Sequence, residues 1–380
     1  MKKLLLFTMM MVFCLFSGLA GPMGNAWAFH LGNVEVTPRG GVSEAYDDNI
    51  TYTKIHKIKD YITRPWVGLS AAYDNKTTTF AASGSYYHEF YANNSSFNNN
   101  GGDFTGSINS ELSKFDRISL SDTFSETEEP RSFEDVFGFT GGQYSSTRNR
   151  VNLGYARDIS EHFGASLRYS NEYDSYSRSD IAKSYYNTAG VEGAYIFSSD
   201  LSVIGAYDFT ARDFSPGSNT RVNTLSGGIR KYITKQLYFD GFGGVDFINS
   251  FSGRTYTKPM VQVSLTDDIN DRTSASLSFR DRYDTVSYTQ DLFNQWQFSA
   301  GLSHEIFQKL RGTLSAFYGR GEYVSTSVTT NLIGSSAGLS YDINDHWKAT
   351  ADYSYSHQTS TTPLGGYLKN RVTLGLTAEF

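Results

Sequence analysis

The chain holds little that would crosslink it, anchor it by a helix or steer it to nucleic acid. Its one cysteine is Cys14, so disulfides are excluded as a source of stability. After the N-terminal 28 residues no run approaches the roughly 20 apolar residues of a membrane helix, and the mean hydropathy is −0.40. Lysine and arginine number 33 against 39 acidic residues and form no patch, so nucleic acid is not an expected partner. The seven histidines, His30, His56, His88, His162, His304, His346 and His357, are scattered. They show no H-E-x-x-H or other metal spacing, and no serine or aspartate relay that spacing identifies. Catalysis, a metal and a cofactor are therefore not expected.

The one long apolar stretch stands at the start. Met1-Lys2-Lys3, the run Leu4 to Leu19, and Ala26-Trp27-Ala28 before Phe29 have the layout of a secretory signal with an A-x-A cleavage site. Gly18, Gly21 and Pro22 interrupt the apolar centre, which argues against a retained anchor, and no lipoprotein box precedes Cys14. Residues 1–28 are expected to be a cleaved signal peptide and 29–380 a single domain. An exported chain without thiols must be held by a large core or by a closed, hydrogen-bonded barrel.

What is abundant favours the barrel. Tyrosine and phenylalanine number 27 each and glycine 35, as aromatic girdles and small wall positions would require. In the segment Lys369 to Phe380, Val372, Leu374, Leu376, Ala378 and Phe380 alternate with Arg371, Thr373, Gly375, Thr377 and Glu379. Such period-two alternation up to a terminal aromatic describes a strand between lipid and water. Turn-forming sites centred on Asn75, Asp116, Ser160, Ser199, Thr234, Asn270, Gln308 and Asn344 recur every 35 to 44 residues, the length of one hairpin. Between them lie nine longer polar stretches, at 50–57, 93–102, 126–145, 177–183, 215–219, 250–254, 285–290, 322–328 and 359–366. Eight turns and nine loops imply eighteen strands. The expected fold is all-β, a transmembrane antiparallel up-and-down barrel with both termini on the periplasmic, short-turn side of the outer membrane. A propeller would need four short strands per interval and a repeated signature, and neither is present.

Parity assigns the faces. Phe163, Ala165, Leu167 and Tyr169 form an outer row, with Ser166, Arg168, Ser170 and Glu172 on the inner one. A lipid-facing Arg or Lys costs about 2–4 kcal/mol near the midplane, so charges belong inside. Asp122 breaks the rule, lying in the outer row with Ile118, Leu120 and Phe124; a bulge, a subunit contact or a shifted register would each account for it. The candidate channel lining is Arg64, Glu89, Arg150, Arg168, Glu172, Asp208, Arg212, Arg230, Asp240, Arg280, Arg282, Lys348, Asp352 and Arg371. These charges either order water across a constriction or pair with one another and stiffen the wall. Inward Trp66, Tyr87, Tyr91 and Tyr238 are candidate sugar contacts, with interface anchoring as the alternative. The acidic stretch 126–145 is a candidate gate if it enters the lumen.

Adjacent Asp47 and Asp48 carry oxygens that suit calcium, but the alternating ligand spacing of a calcium loop is missing, which favours a structural role. The first strand, Val36-Thr-Pro-Arg-Gly-Gly-Val-Ser-Glu-Ala-Tyr-Asp-Asp-Asn-Ile50, followed by a barrel of this size, resembles the putative beta-barrel porin 2 family. That resemblance implies an outer-membrane channel linked to exopolysaccharide export. The implied partners are outer-membrane lipid and lipopolysaccharide, a polysaccharide or small polar solute, and periplasmic export components. Uptake of small solutes is the alternative within transport; a barrel enzyme and an adhesive or structural barrel are the alternatives outside it.

Overall fold

The computed structural model describes residues 29–128, 144–215, 217–286, 291–362 and 365–380. The expected signal peptide and most of the acidic stretch 126–145 lie outside them. Nineteen strands occur among the described residues. They are β1 (Phe29–Leu31), β2 (Val34–Asp47), β3 (Asp60–Asp74), β4 (Thr78–Tyr91), β5 (Asn99–Glu111), β6 (Asp116–Thr127), β7 (Ser146–Asp158), β8 (Phe163–Tyr176), β9 (Lys183–Ser198) and β10 (Leu201–Ser215). There follow β11 (Ser218–Tyr232), β12 (Leu237–Asn249), β13 (Thr255–Asn270), β14 (Thr273–Val286), β15 (Asp291–Phe307), β16 (Leu310–Tyr323), β17 (Thr329–Asp342), β18 (Trp347–Ser360) and β19 (Gly366–Glu379).

From β2 onward each strand pairs antiparallel with its neighbours in chain order. The last strand then returns to the first, with Arg371 opposite Asp47 and Glu379 opposite Arg39. The result is the closed eighteen-stranded barrel that the turn count implies. Strands about 4.8 Å apart and tilted by about 40° give eighteen of them a backbone diameter of roughly 35 Å. The short β1 is additional. It doubles back at Gly32, whose φ of +65° suits glycine, and covers Val34–Val36 of β2, which β19 does not reach. Below the seam the N–H of Phe380 donates to the carbonyl of Pro38 (3.1 Å), and the Phe380 ring stacks on His346 at 5.9 Å.

The turns form where short polar side chains mimic a backbone carbonyl. Asn75 Oδ1 accepts the N–H groups of Thr77 and Thr78, Thr234 Oγ1 those of Gln236 and Leu237, and Asn344 Oδ1 those of His346 and Trp347. Ser113, Ser160 and Asn270 act the same way at three more turns. At the opposite end several strands run one to four residues into the stretches expected as loops, β5, β6, β14, β16 and β18 among them. β5 starts at Asn99, inside the stretch expected as loop, because Asn99 Nδ2 is drawn to the buried Glu89 carboxylate (3.1 Å). β6 keeps Glu126 and Thr127 through pairing with Thr147 and Ser146.

Period-two alternation separates the two faces along the whole circuit. Val67 (62% exposed), Leu225 (62%) and Leu374 (58%) stand on the outside, while Glu89 and Asp174 (1% each) are sealed on the inside. Outward tyrosines reach diagonally to outward asparagines one step nearer the loop end: Tyr169 to Asn187 (2.9 Å), Tyr207 to Asn223 (2.7 Å) and Tyr353 to Asn370 (2.9 Å). A belt of phenol-to-amide bonds of this kind marks where apolar surroundings give way to polar ones. Asp122 belongs to it. Asp122 Oδ1 accepts Asn149 Nδ2 at 2.7 Å while the ladder stays in register, so neither a bulge nor a shifted strand is involved.

Candidate functional site

The inner wall is a set of compensated charges. Arg230 meets Asp240 (2.7 Å) towards the turn end, and Arg168 bridges Asp208 (2.6 Å) and Glu192 (3.1 Å) at mid-height. Towards the loop end Glu172 takes Arg150, Asp174 takes Arg148 (2.6 Å), and Glu89 takes Arg64. Glu89 also accepts from Tyr91 Oη (3.2 Å) and Asn99. Lys348 lies 3.4 Å from Asp342, and the Asp352 carboxylate lies over Gly338. Register places Arg280 and Arg371 on the same face, Arg280 between Gln262 and Gln297 and Arg371 beside Asp47. All fourteen candidate lining residues thus share the inner row, grouped mostly as opposite-sign neighbours.

The four candidate sugar-contacting aromatics do not form a continuous track. Arg64 covers the Tyr87 ring at 4.1 Å, and the Trp66 ring lies against Gly41, where a Cβ would collide with it. Tyr91 is packed with Ala45, Ile50 and Ile62. Tyr238 sits at the turn end beside Tyr232, 5.7 Å between ring centres.

The mouth is narrower than a plain barrel of this size, for two reasons. First, the segment 48–59 folds over the inner wall. Ile50 joins the Ala45, Ile62 and Tyr91 cluster, and Tyr52 packs edge-on against Tyr367 (5.1 Å) beneath Lys369 Nζ (3.6 Å). Asn49 holds this turn, bonding the carbonyls of Thr53 and Leu368 and the Thr53 N–H. Tyr52 has a φ of 52°, a conformation that costs an ordinary residue on the order of 1 kcal/mol and persists only where surroundings impose it. At the seam below, Asp47 accepts from Lys369 (2.7 Å) and the Asn49 N–H (2.9 Å). Asp48 accepts the N–H and the side-chain amide of Asn370 (2.7 Å each). These oxygens are engaged by the chain itself and staple the first strand to the last.

Second, the loop-end part of β14 leaves β13, while β15 stays bonded to β16 as far as Leu292, whose carbonyl accepts the Val324 N–H (2.9 Å). The β13–β14 ladder stops at Val261 and Asp281. Beyond it Thr255–Met260 pair only with β12, and Arg282–Val286 only with β15. Pro259, which has no N–H to donate, lies in the unpaired run. Arg212 on β10 nevertheless donates to the carbonyl and hydroxyl of Thr285 on β14. Four strand spacings, roughly 19 Å of sheet, would separate these residues in a regular wall. The hairpin end therefore crosses the lumen. Lys258 fills the opening it leaves, with Nζ 2.6 Å from Asp281, bonded to Asn294 and 4.8 Å from the Tyr283 ring centre. On the other flank Phe293 is fully buried against Leu332 and Tyr367.

Arg212 (4% exposed) is the hub, bonding Ser184 (3.0 Å) and Asp174 (3.3 Å) as well as Thr285, with its guanidinium 5.0 Å from the Phe214 ring. Between this hub, the β8–β13 wall and the inturned hairpin lies a cavity of ≈ 270 Å³. Outside the strands, in the segment 177–182, a hydrogen bond from Arg178 holds the Asp180 carboxyl below its ordinary value. Sequence patterning had not singled out Asp174, Thr285, Lys258 or Phe293. Parity gives the face of each, but nothing local marks the contacts across the lumen.

The family described as putative beta-barrel porin 2 matches residues 292–380, which span nearly all of β15 through β19. It is the family that the first strand resembles. Solved structures of similar fold include the siderophore receptor PirA from Pseudomonas aeruginosa, at 9% identity over 91% of this chain and 80% of that one, with a TM-score of 0.46. PirA from Acinetobacter baumannii is 8% identical over 93% and 81%, with a TM-score of 0.47. The FrpB iron transporter from Neisseria meningitidis is 10% identical over 90% and 82%, with a TM-score of 0.48. Likeness at this level carries no argument about cargo. No curated protein matches the chain. The protein is an outer-membrane β-barrel of porin-like fold.

Proposed function

We propose that this barrel is a channel for a polar, hydroxyl-rich cargo, an extracellular polysaccharide leaving a Gram-negative cell. The observation that carries the reading is the inner wall, where basic and acidic side chains alternate and compensate from Arg230–Asp240 at one end to Arg64–Glu89 at the other. A wall of one sign would concentrate counter-ions of the other; a compensated one offers hydrogen bonds without selecting strongly for charge, which suits a sugar polymer. Direction rests on the family likeness. In this reading the short turns and both termini face the periplasm and the export components there, and the loops face outward. Outer-membrane lipid and lipopolysaccharide cover the apolar face.

Uptake of small solutes is the second reading, favoured by the inturned β14–β15 hairpin, which must move for a polymer to pass. Conductance in planar bilayers tests the channel. Steady current from the purified barrel is expected, and none, even with the hairpin released, would overturn it. Deletion of the gene separates the two readings. Loss of surface polysaccharide with unchanged small-solute permeability is expected, and the reverse pattern would replace export by uptake.

A further inference from the structure

The cavity beside the inturned hairpin is more specific than a gap in a polar wall. Its charged groups are already matched. Arg168 pairs with Asp208 (2.6 Å), Asp284 lies 3.5 Å from Arg282, and Asp246 accepts from Thr224 (2.6 Å). Thr188 and Thr210 bond each other at 3.1 Å. One lining group stands apart: Thr220 is 1% exposed, and its Oγ1 has no hydrogen-bond partner. A buried hydroxyl left unbonded costs about 1–3 kcal/mol, so its position calls for a ligand atom or a water. The lining also holds apolar groups, Val222 beside Thr220 on β11, Met260 on β13, Leu292 on β15 and the Tyr186 ring.

A ligand suited to this lining has hydroxyls on its rim and C–H groups on its faces, and carries no net charge. An anion would lie against Asp208, Asp246 and Asp284, and a cation against Arg168, Arg212 and Arg282. A volume of ≈ 270 Å³ is just below the range of about 300–1,000 Å³ for small-molecule sites, which fits a single ring and not a stretch of polymer. We propose that this cavity binds one neutral pyranose unit, with Thr220 Oγ1 as a hydrogen-bonding partner. The inference rests on the carbohydrate-channel reading and places its recognition step at the mouth.

Calorimetry on the full barrel in detergent micelles tests this without requiring current. The probes are glucose, galactose and N-acetylglucosamine as neutral rings, with glucuronate and glucosamine as charged ones. Saturable binding of at least one neutral sugar at one site per barrel is expected, with both charged sugars at least tenfold weaker. Thr220→Val keeps the branched shape and removes the hydroxyl, so affinity should fall about tenfold. Met260→Trp should abolish binding by filling the cavity, and serves if Thr220→Val does not fold. No binding by any neutral sugar, equal binding of a charged one, or parental affinity in a folded variant would each overturn the site. The channel reading fails separately. A barrel that binds sugar yet never conducts removes transport and leaves the site, whereas one that conducts without binding does the opposite.

Discussion

Replacing Arg212 by methionine tests whether the inturned hairpin is a latch or a fixed part of the wall. Methionine keeps an apolar stem against Phe214 and Tyr186 while removing the guanidinium. Asp174 remains paired with Arg148 at 2.6 Å, so no buried carboxylate is orphaned. The loss falls on the Asp174 contact (3.3 Å) and Ser184 within the wall, and on the two bonds to Thr285 that reach across the lumen. A hydrogen bond to a charged donor contributes about 1.5–3 kcal/mol, and at 4% exposure Arg212 is not screened by bulk water. Taking roughly 3 kcal/mol for the pair shifts the equilibrium between docked and released hairpin on the order of 100-fold. A mouth open about one part in a hundred would then be open about half the time. Single-channel recording in planar bilayers reads this as a higher mean conductance with long open dwells, and heat-modifiable electrophoretic mobility confirms the folded barrel. Thr285→Ala, which spares the carbonyl, should move the current the same way by less. Identical currents from folded Arg212→Met and parental barrels would refute the latch and make the crossing hairpin part of a static wall.

Three further outcomes follow from buried or outward charges. Asp47→Ala strips the partner from Lys369, which is 7% exposed, and leaves a buried ammonium at the closing seam. The cost should be about 3–5 kcal/mol, read as a lower temperature for the heat-modifiable shift. Glu89→Gln leaves Arg64 without its compensating charge on the inner wall, so the reversal potential in a salt gradient should move towards anion selectivity. Asp122→Leu exchanges a carboxylate in the outer belt for an apolar group, so stability in lipid should hold or rise. A fall, or loss of an oligomer band, would assign Asp122 to a subunit contact.

The wall was legible in the sequence because each of its determinants is local. Alternation fixes the face of each strand residue, and the side chain of Asn75, Thr234 or Asn344 makes its turn within three residues. The mouth was not legible, because alternation tells which face a residue takes and not which strand it meets. In Thr273–Val286 the outer row Ala275, Leu277 and Phe279 gives way to Asp281, the last residue paired with β13, but a single break in alternation does not say where the five residues beyond it go. Arg212 and Thr285 are 73 residues apart, and no periodic signal joins them. The surroundings of Tyr91 were hidden for a related reason: it has the expected parity but packs with Ile50 of the segment 48–59, which strand patterning does not describe. One class of residue did carry the missing information. Pro38 lies between the part of β2 paired with β1 and the part paired with β19. Pro65 lies where the β3–β4 ladder skips from Thr63 to Trp66, and Pro259 lies where β13 and β14 part. A proline cannot donate to a ladder, so each of the three marks a place where one neighbour is lost. In a chain with only seven prolines, one in the interior of a strand is a signal of a break in the ladder beside it, brief at Pro65 and lasting to the strand end at Pro259.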